Sequence, residues 1–385
     1  MKAVVLLVSF LIGCLFTVTL RKESAEPMPA DSVQAAKPVM EEVVAEPYGK
    51  TARNEAVTAF SMQNKAGLKL KLIDYGATVV SLETPDRDGK LANIVLTCPD
   101  IKGFEACTMY FNGSVGRYCN RIANGKFKIG DAEFTLAKNN GEHHLHGGVR
   151  GFDKQMWKGE PFSAKGVRGV KFTRASADNE EGYPGELSVT ATYTLTDNNE
   201  LIVEFQATTN KPTHVNLTNH NYWNLAGTGT IQDHELQLSS SQFIPVDASG
   251  IPTGKIESTA DSPFDFSSKQ VIGKRFDKIK STPVGYDHCY VVTGKSGDLR
   301  AAAKVRDPKS GRTMEIKTTE PGIQFYTGNF LDGTAASGGY AQYSAFCLET
   351  QHYPDSPNQP SFPSTLLKPG SNYFHRTVHA FSVEK

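Results

Sequence analysis

The chain has 385 residues, with 41 Lys+Arg against 41 Asp+Glu and so no net charge. That length can bury a large core, as one big β domain or two ordinary ones. The balanced charge leaves no basic excess for a phosphate backbone, so nucleic acid is not an expected partner.

Residues 3–20 (AVVLLVSFLIGCLFTVTL) form a mostly apolar run behind Lys2 and before Arg21-Lys22. Residues 1–20 therefore read as an export signal peptide, or as an N-terminal anchor long enough to cross a bilayer. Leu11-Ile12-Gly13-Cys14 is also similar to a lipoprotein signal in which Cys14 is lipidated, although Leu15-Phe16 is more apolar than usual after such a site. The expectation is an exported protein, periplasmic or extracellular. Cleavage, lipidation through Cys14 and retention all stay open, and any membrane attachment runs through this leader alone. Residues 21–50, rich in Ala, Pro, Glu and Val, read as a flexible linker. The folded domain is placed at 51–385.

From there the pattern is alternation. Leu68, Leu70 and Leu72 alternate with lysines; Leu187, Val189, Ala191, Tyr193 and Leu195 alternate with Ser and Thr; Leu201, Val203 and Phe205 repeat the pattern. Period two marks half-buried strands. Asp88-Gly89, Gly130-Asp131, Asp197-Asn198-Asn199 and Ser310-Gly311 supply turns between them. Only Asp100–Ala106 suggests a turn or two of helix. The fold class is all-β, a large antiparallel β-sandwich. Of the 6 cysteines, none has zinc-ligand spacing. Without Cys14 an odd number remains, which excludes a complete disulfide framework and leaves room for one bridge.

Several segments carry chemistry. In Gly116-Arg117-Tyr118-Cys119-Asn120-Arg121, an amide and a guanidinium fork suit the vicinal hydroxyls of a sugar. A surface turn tied to a carboxylate is the plain alternative. His143-His144-Leu145-His146-Gly147-Gly148 invites a metal, yet an extended chain puts His143 on the face opposite His144 and His146, and no carboxylate or Cys completes a set. The glycines point to a backbone that comes close to something, a ligand being one candidate. In Val215–Gly227, extended geometry places His220, Tyr222 and Asn224 on one face, an imidazole beside a phenol and amides. Asp287 opens a strand-like run and either caps a turn or accepts from two hydroxyls. Gln324 lies in an aromatic run suited to a sugar-facing wall. Glu349 follows an apolar lead, where a carboxylate becomes a better base than in water. Asn112 and Asn216 match the glycosylation pattern.

GRYCNRIANGKF, HLHGGVRGFDKQMW, VNLTNHNYWNLAG, YDHCYV, GIQFYTGNF and CLETQHYPDSPNQPSFPSTLLKPG together resemble the signature blocks of the aldose 1-epimerase (galactose mutarotase) family. They come in the family's order and cover nearly everything from about residue 52 onward. The resemblance implies a β-supersandwich of the galactose mutarotase type, acting as a monomer without a cofactor or metal to interconvert the α and β anomers of free hexoses. Carried over residue by residue, it implies His220 as general acid, Glu349 as general base and His146 as an assistant. Asn120, Arg121, Asn221, Tyr222, Asp287 and Gln324 would hold the sugar. Cys119, where a small residue such as Ala is usual, Trp223, where Phe is common, and the leader depart from the family's pattern.

Two other readings compete. Asp287 and Glu349 could be the paired carboxylates of a glycoside hydrolase, which leaves His220 and His146 without a task. A sugar-binding module on a similar sandwich would need hydrogen bonds but no matched acid and base. An epimerase for phosphorylated hexoses would want a basic phosphate pocket, for which no cluster is evident.

Overall fold

The computed structural model describes residues 42–385. The leader at 1–20 and Cys14 lie outside the described residues, as does most of the 21–50 linker. The end of that linker needs correcting. Val44–Lys50 is a strand, paired antiparallel with Ala56–Gln63. Most of its side chains are exposed, so ladder hydrogen bonds hold it and no apolar period announces it.

Three larger sheets organise the rest. The first runs Val44–Lys50, Ala56–Gln63, Lys69–Ile73, Thr78–Pro85, Leu91–Asn93 as a meander. The second has nine strands and includes the long hairpins Val167–Ser176, Leu187–Thr196 and Glu200–Thr209, followed in the sheet by Tyr373–Val383. The third is ordered Glu257–Ser258, Gln242–Ile244, Asp287–Val291, Gly322–Tyr326, Cys347–Gln351. Their strand pairings are antiparallel, so each strand can offer one face to a core and the other to something else.

One apolar cluster draws on all three sheets: Phe60, Leu70 and Leu82 from the first, Val189, Tyr193, Val203 and Phe205 from the second, Tyr290, Phe325 and Leu348 from the third. Each such side chain contributes about 1.5–3 kcal/mol by leaving water, which is what fixes the register of the alternating strands. The turns fall where the sequence places them; Gly130-Asp131 closes the two-residue hairpin between Lys126–Ile129 and Ala132–Thr135. The one short α-helix among the described residues, Ile101–Ala106, is capped by Asp100, whose Oδ1 accepts from Gly103 N at 2.8 Å.

Cys98, Cys107, Cys119, Cys289 and Cys347 are all buried and free, so no bridge forms among the described residues. Asn112 and Asn216 are fully buried. Asn112 Nδ2 donates to Leu96 O, and Asn216 Oδ1 accepts from His352 N. Neither can take a glycan; both amides tie loops together under the cleft.

Candidate active site

The third sheet delivers both carboxylates of the site, Asp287 and Glu349. Residues paired directly across an antiparallel ladder share a face, as do residues two apart on one strand. Asp287 pairs with Tyr326 and Tyr326 with Cys347; Cys289 pairs with Gln324 and Gln324 with Glu349. Asp287, Gln324, Tyr326, Cys347 and Glu349 therefore stand on one face, while Tyr290, Phe325 and Leu348 enter the core from the other. This pattern puts a carboxylate in the middle of a buried strand.

Opposite that face runs the segment that follows Thr218–Asn219, a short strand paired with Ser114–Val115. His220 N donates to Gly113 O and Asn112 N to His220 O, so the backbone on both sides of the histidine is pinned. His220 and Tyr222 share a face as expected, their rings stacked 5.0 Å apart at 16°. Asn224 does not join them: its amide donates to Gly229 O and Ser344 O and closes a turn. Tyr110 stacks on the other side of His220, 6.0 Å away at 23°.

The third wall comes from the hairpin of Arg121–Ile122 with His144–Leu145. Asn120 and His146 both sit in the left-handed region, at φ 60° and 50°, and lock one another. His146 N donates to Asn120 O, and Asn120 N donates to His146 Nδ1 at 3.2 Å. The second bond decides the tautomer. A nitrogen that accepts carries no hydrogen, so His146 presents Nε2–H to the cleft. Burial, with the charge of Arg121, holds its pKa well below the usual value. It is a fixed donor.

The turn at His146 also breaks the alternation expected of the histidine run. His144 is structural, bonded to Ala137 O and to the Tyr183 hydroxyl at 2.7 Å, and His143 accepts from Asn124 N. The glycines after His146 approach protein. A Cβ at Gly147 would lie 1.9 Å from Gly116 O, and one at Gly148 would overlap the Glu181 carboxylate.

These walls enclose an open cleft of about 340 Å³ lined by Tyr110, Asn120, Arg121, Asn140, His146, His220, Tyr222, Asp287, Tyr326 and Glu349, among others, with Phe330 half-exposed at its mouth. Arg121 reaches Asp287 Oδ2 at 3.7 Å and Asn140 Oδ1 at 3.2 Å. At the floor, His220 Nε2 faces Glu349 Oε1 at 3.6 Å, and Glu349 Oε2 is buried without a partner. Burial and the nearby Asp287 push the Glu349 carboxyl well up, Arg121 opposing; burial pushes His220 down to about 4. Both shifts favour uncharged partners. A neutral acid beside a neutral imidazole holds one mobile proton, the same number as a carboxylate beside an imidazolium. The site can therefore give and take a proton at two points without exchanging any with solvent.

His146, His220 and Glu349 have ligand atoms within 4.8 Å of one another. The Nε2–H of His146 turns a proton, not a lone pair, toward any ion there, which does not suit a metal ligand.

Two residues expected to hold a sugar stand elsewhere. Gln324 lies beneath the cleft and donates to Asp287 Oδ1 at 2.7 Å, so it orients that carboxylate. Asn221 is buried outside the cleft lining, with neither end of its amide bonded; alternation turns it away from the face of its neighbours His220 and Tyr222. Tyr326 and Phe330 belong to the aromatic run expected to form a sugar-facing wall, and both line the cleft; Tyr110, which also lines it, was not expected there. Nothing in the sequence spacing of Tyr110 marks it as a cleft wall.

Known proteins match most of the β domain. A family model described as "Aldose 1-epimerase" matches residues 58–380. Galactose mutarotase of Bos taurus is 46% identical over 332 residues, covering 85% of this chain and 94% of that protein. Aldose 1-epimerase of Escherichia coli strain K12 is 36% identical, covering 84% and 95%. Among solved structures, an aldose epimerase homologue from C. elegans superposes with a TM-score of 0.77 at 33% identity, over 84% of this chain and 98% of that one. Galactose 1-epimerase from Lactobacillus acidophilus NCFM gives 0.78 at 26% identity, over 89% and 99%.

Proposed function

The chain belongs to the aldose 1-epimerase family, and on that premise we propose that its cleft interconverts the α and β anomers of free aldohexoses with Glu349 and His220 as the acid–base pair. Anomer exchange needs a proton to leave the anomeric hydroxyl while another arrives at the ring oxygen. The ring opens, the aldehyde turns about its C1–C2 bond, and closure delivers the other anomer. Glu349 takes the anomeric proton, His220 gives one to the ring oxygen, and the roles reverse on closure. The proton count of enzyme and sugar is the same before and after.

The observation that carries this assignment is the 3.6 Å approach of His220 Nε2 to Glu349 Oε1 at the floor of the cleft. A cleft near 340 Å³ is at the small end of ligand sites and suits one sugar ring. The fixed Nε2–H of His146 supports the ring oxygen or a neighbouring hydroxyl. Arg121, Asp287 and Asn120 supply donors and acceptors for the remaining hydroxyls. These contacts must hold the open-chain aldehyde without gripping one anomer alone, since both are products.

The test is polarimetry on freshly dissolved α-D-glucose or α-D-galactose. Wild type should speed the change in optical rotation, and His220→Asn and Glu349→Gln should not. Full activity in Glu349→Gln would remove the base from this scheme. For location, the 3–20 apolar run supports export from the cytosol; the mature N-terminus, read by sequencing, distinguishes cleavage, lipidation at Cys14 and retention.

A further inference from the structure

Cys347 and Glu349 leave their strand on the same side, two positions apart, and each meets one nitrogen of the same imidazole. Cys347 Sγ lies 3.6 Å from His220 Nδ1, and Glu349 Oε1 lies 3.6 Å from Nε2. Cys347 is wholly buried. Burial and the carboxyls of Glu349 and Asp287 keep its sulfur protonated far above the ordinary thiol range.

The acid–base assignment sets a condition on the ring. A neutral His220 can receive a proton at Nε2, from Glu349 or from the sugar, only if Nδ1 carries the ring hydrogen. We infer that Cys347 is a positioning residue that holds His220 in its Nδ1–H form, the sulfur accepting that hydrogen and leaving Nε2 free to shuttle a proton. This rests on the reading of His220 as the acid.

Sulfur suits the task because it is a weak acceptor. It fixes ring orientation and tautomer, yet stabilises an imidazolium far less than a carboxylate at Nδ1 would. His220 then stays a strong acid when it does become charged. The other groups around the ring offer no side-chain bond at Nδ1. Tyr222 and Tyr110 cover its faces, and the ring of His146 meets it edge-on at 5.1 Å. Burial disfavours the charged ring more strongly than the histidine's own carbonyl, and after it Asp287, favours it. Arg121 acts on His146 and Glu349.

The experiment combines spectroscopy with kinetics on the full chain. Two-bond proton–nitrogen correlation on ¹⁵N-histidine-labelled protein, with the His220 signal identified by its loss in His220→Asn, should show a protonated Nδ1 and a bare Nε2 at neutral pH. Cys347→Ser places a better acceptor at Nδ1; it should keep kcat within several-fold and move the acid limb of the pH–rate profile to higher pH. Cys347→Ala should lower kcat roughly tenfold, part of the 10²–10⁴ that an acid–base group contributes, leave KM unchanged and mix the tautomers. A wild-type spectrum with hydrogen on Nε2 overturns the inference without reference to any variant's folding. So does Cys347→Ala with unaltered kcat and acid limb. Failure of the underlying assignment reads differently: His220→Asn would then remain fully active.

Discussion

His220 Nε2 stands 3.6 Å from Glu349 Oε1, with 5% and 3% of the two side chains exposed. The two come from segments far apart in sequence, one pinned by Asn112 and Gly113, the other central in a ladder with Gly322–Tyr326. A carboxyl and an imidazole so placed are costly to keep, which makes them separable by mutation into function and stability.

Glu349→Gln should lower kcat by about 10²–10⁴-fold, or 3–5 kcal/mol of barrier, while making the fold more stable. The carboxyl's folded pKa is raised, so its contribution is intact below the unfolded value and lost as pH rises through the folded one. The amide never ionises. Melting temperatures of the two proteins should converge in acid and separate in alkali, with the variant ahead by about 1–3 kcal/mol, the cost of an unsatisfied buried polar group. A variant equally destabilised at every pH would contradict this.

The pair is competent when it holds one proton, so kcat/KM should be bell-shaped. On the acid side activity fails as His220, depressed to about 4, charges beside an already protonated Glu349. On the alkaline side it fails as the raised Glu349 loses the shared proton. The plateau should extend well below pH 6.5. Polarimetric rates from pH 3.5 to 10 read both limbs.

Asp287→Asn should displace the alkaline limb toward lower pH. The Asp287 charge is one of the two causes that raise Glu349, and removing it makes the carboxyl easier to ionise. The same change loosens Arg121, ion-paired with that carboxylate at 3.7 Å, and Gln324, which donates to it, so KM should rise about tenfold, the worth of one charge-assisted hydrogen bond. An alkaline limb that stays in place would show that Asp287 acts through contact with the sugar alone.

Gly147→Ala should damage both fold and rate. The backbone there has φ +86°, and a Cβ would fall 1.9 Å from Gly116 O. Strain alone costs about 1–3 kcal/mol, and relief must shift the turn that carries His146. A lower melting temperature together with reduced kcat is the expected result; loss of stability with normal turnover would mean His146 tolerates displacement.

Just past the Cys347–Gln351 strand, His352 Nδ1 is bonded to the buried Glu320 at 2.5 Å. Glu320 is pulled below its usual range, chiefly by the charge of His352 and His375 against the cost of burial, and Glu320 holds His352 above its own. The carboxylate's contribution is lost as pH falls through its depressed value; the imidazolium's is lost as pH rises through its raised one. Glu320→Gln should therefore cost about 3–5 kcal/mol between those limits and less outside them. Chemical denaturation at pH 4, 6 and 9 would show it.

Much of this was legible in the chain. The alternation of Leu187–Leu195 specified a two-faced strand because every second side chain had to reach one core. His220, Glu349, His146, Arg121 and Asp287 were singled out by six resembling blocks in order, where no one segment's chemistry was enough, and the structure brings all five to one cleft. Val44–Lys50 was not legible, since a strand held by its ladder and by one half-buried ring, Tyr48 against Phe104, leaves no apolar period. Nor was the division between Asp287, which meets the cleft, and Gln324, which holds it from below. That depends on cross-strand register, and register becomes visible only when the neighbouring strand is in place. The role of Tyr110 was hidden for the same reason: its stacking partner is more than a hundred positions away.

All five cysteines of the described domain are sealed from solvent and unbridged. Its fold stands on packing, without a cross-link. An oxidant would find one place to add a staple among the described residues, since the Cys98 and Cys107 thiols lie within hydrogen-bonding reach of each other, and no exposed sulfur by which a folded copy could be cross-linked to its neighbour. Reducing and oxidising surroundings should therefore leave the same fold, with the joining of that one pair as the difference between them.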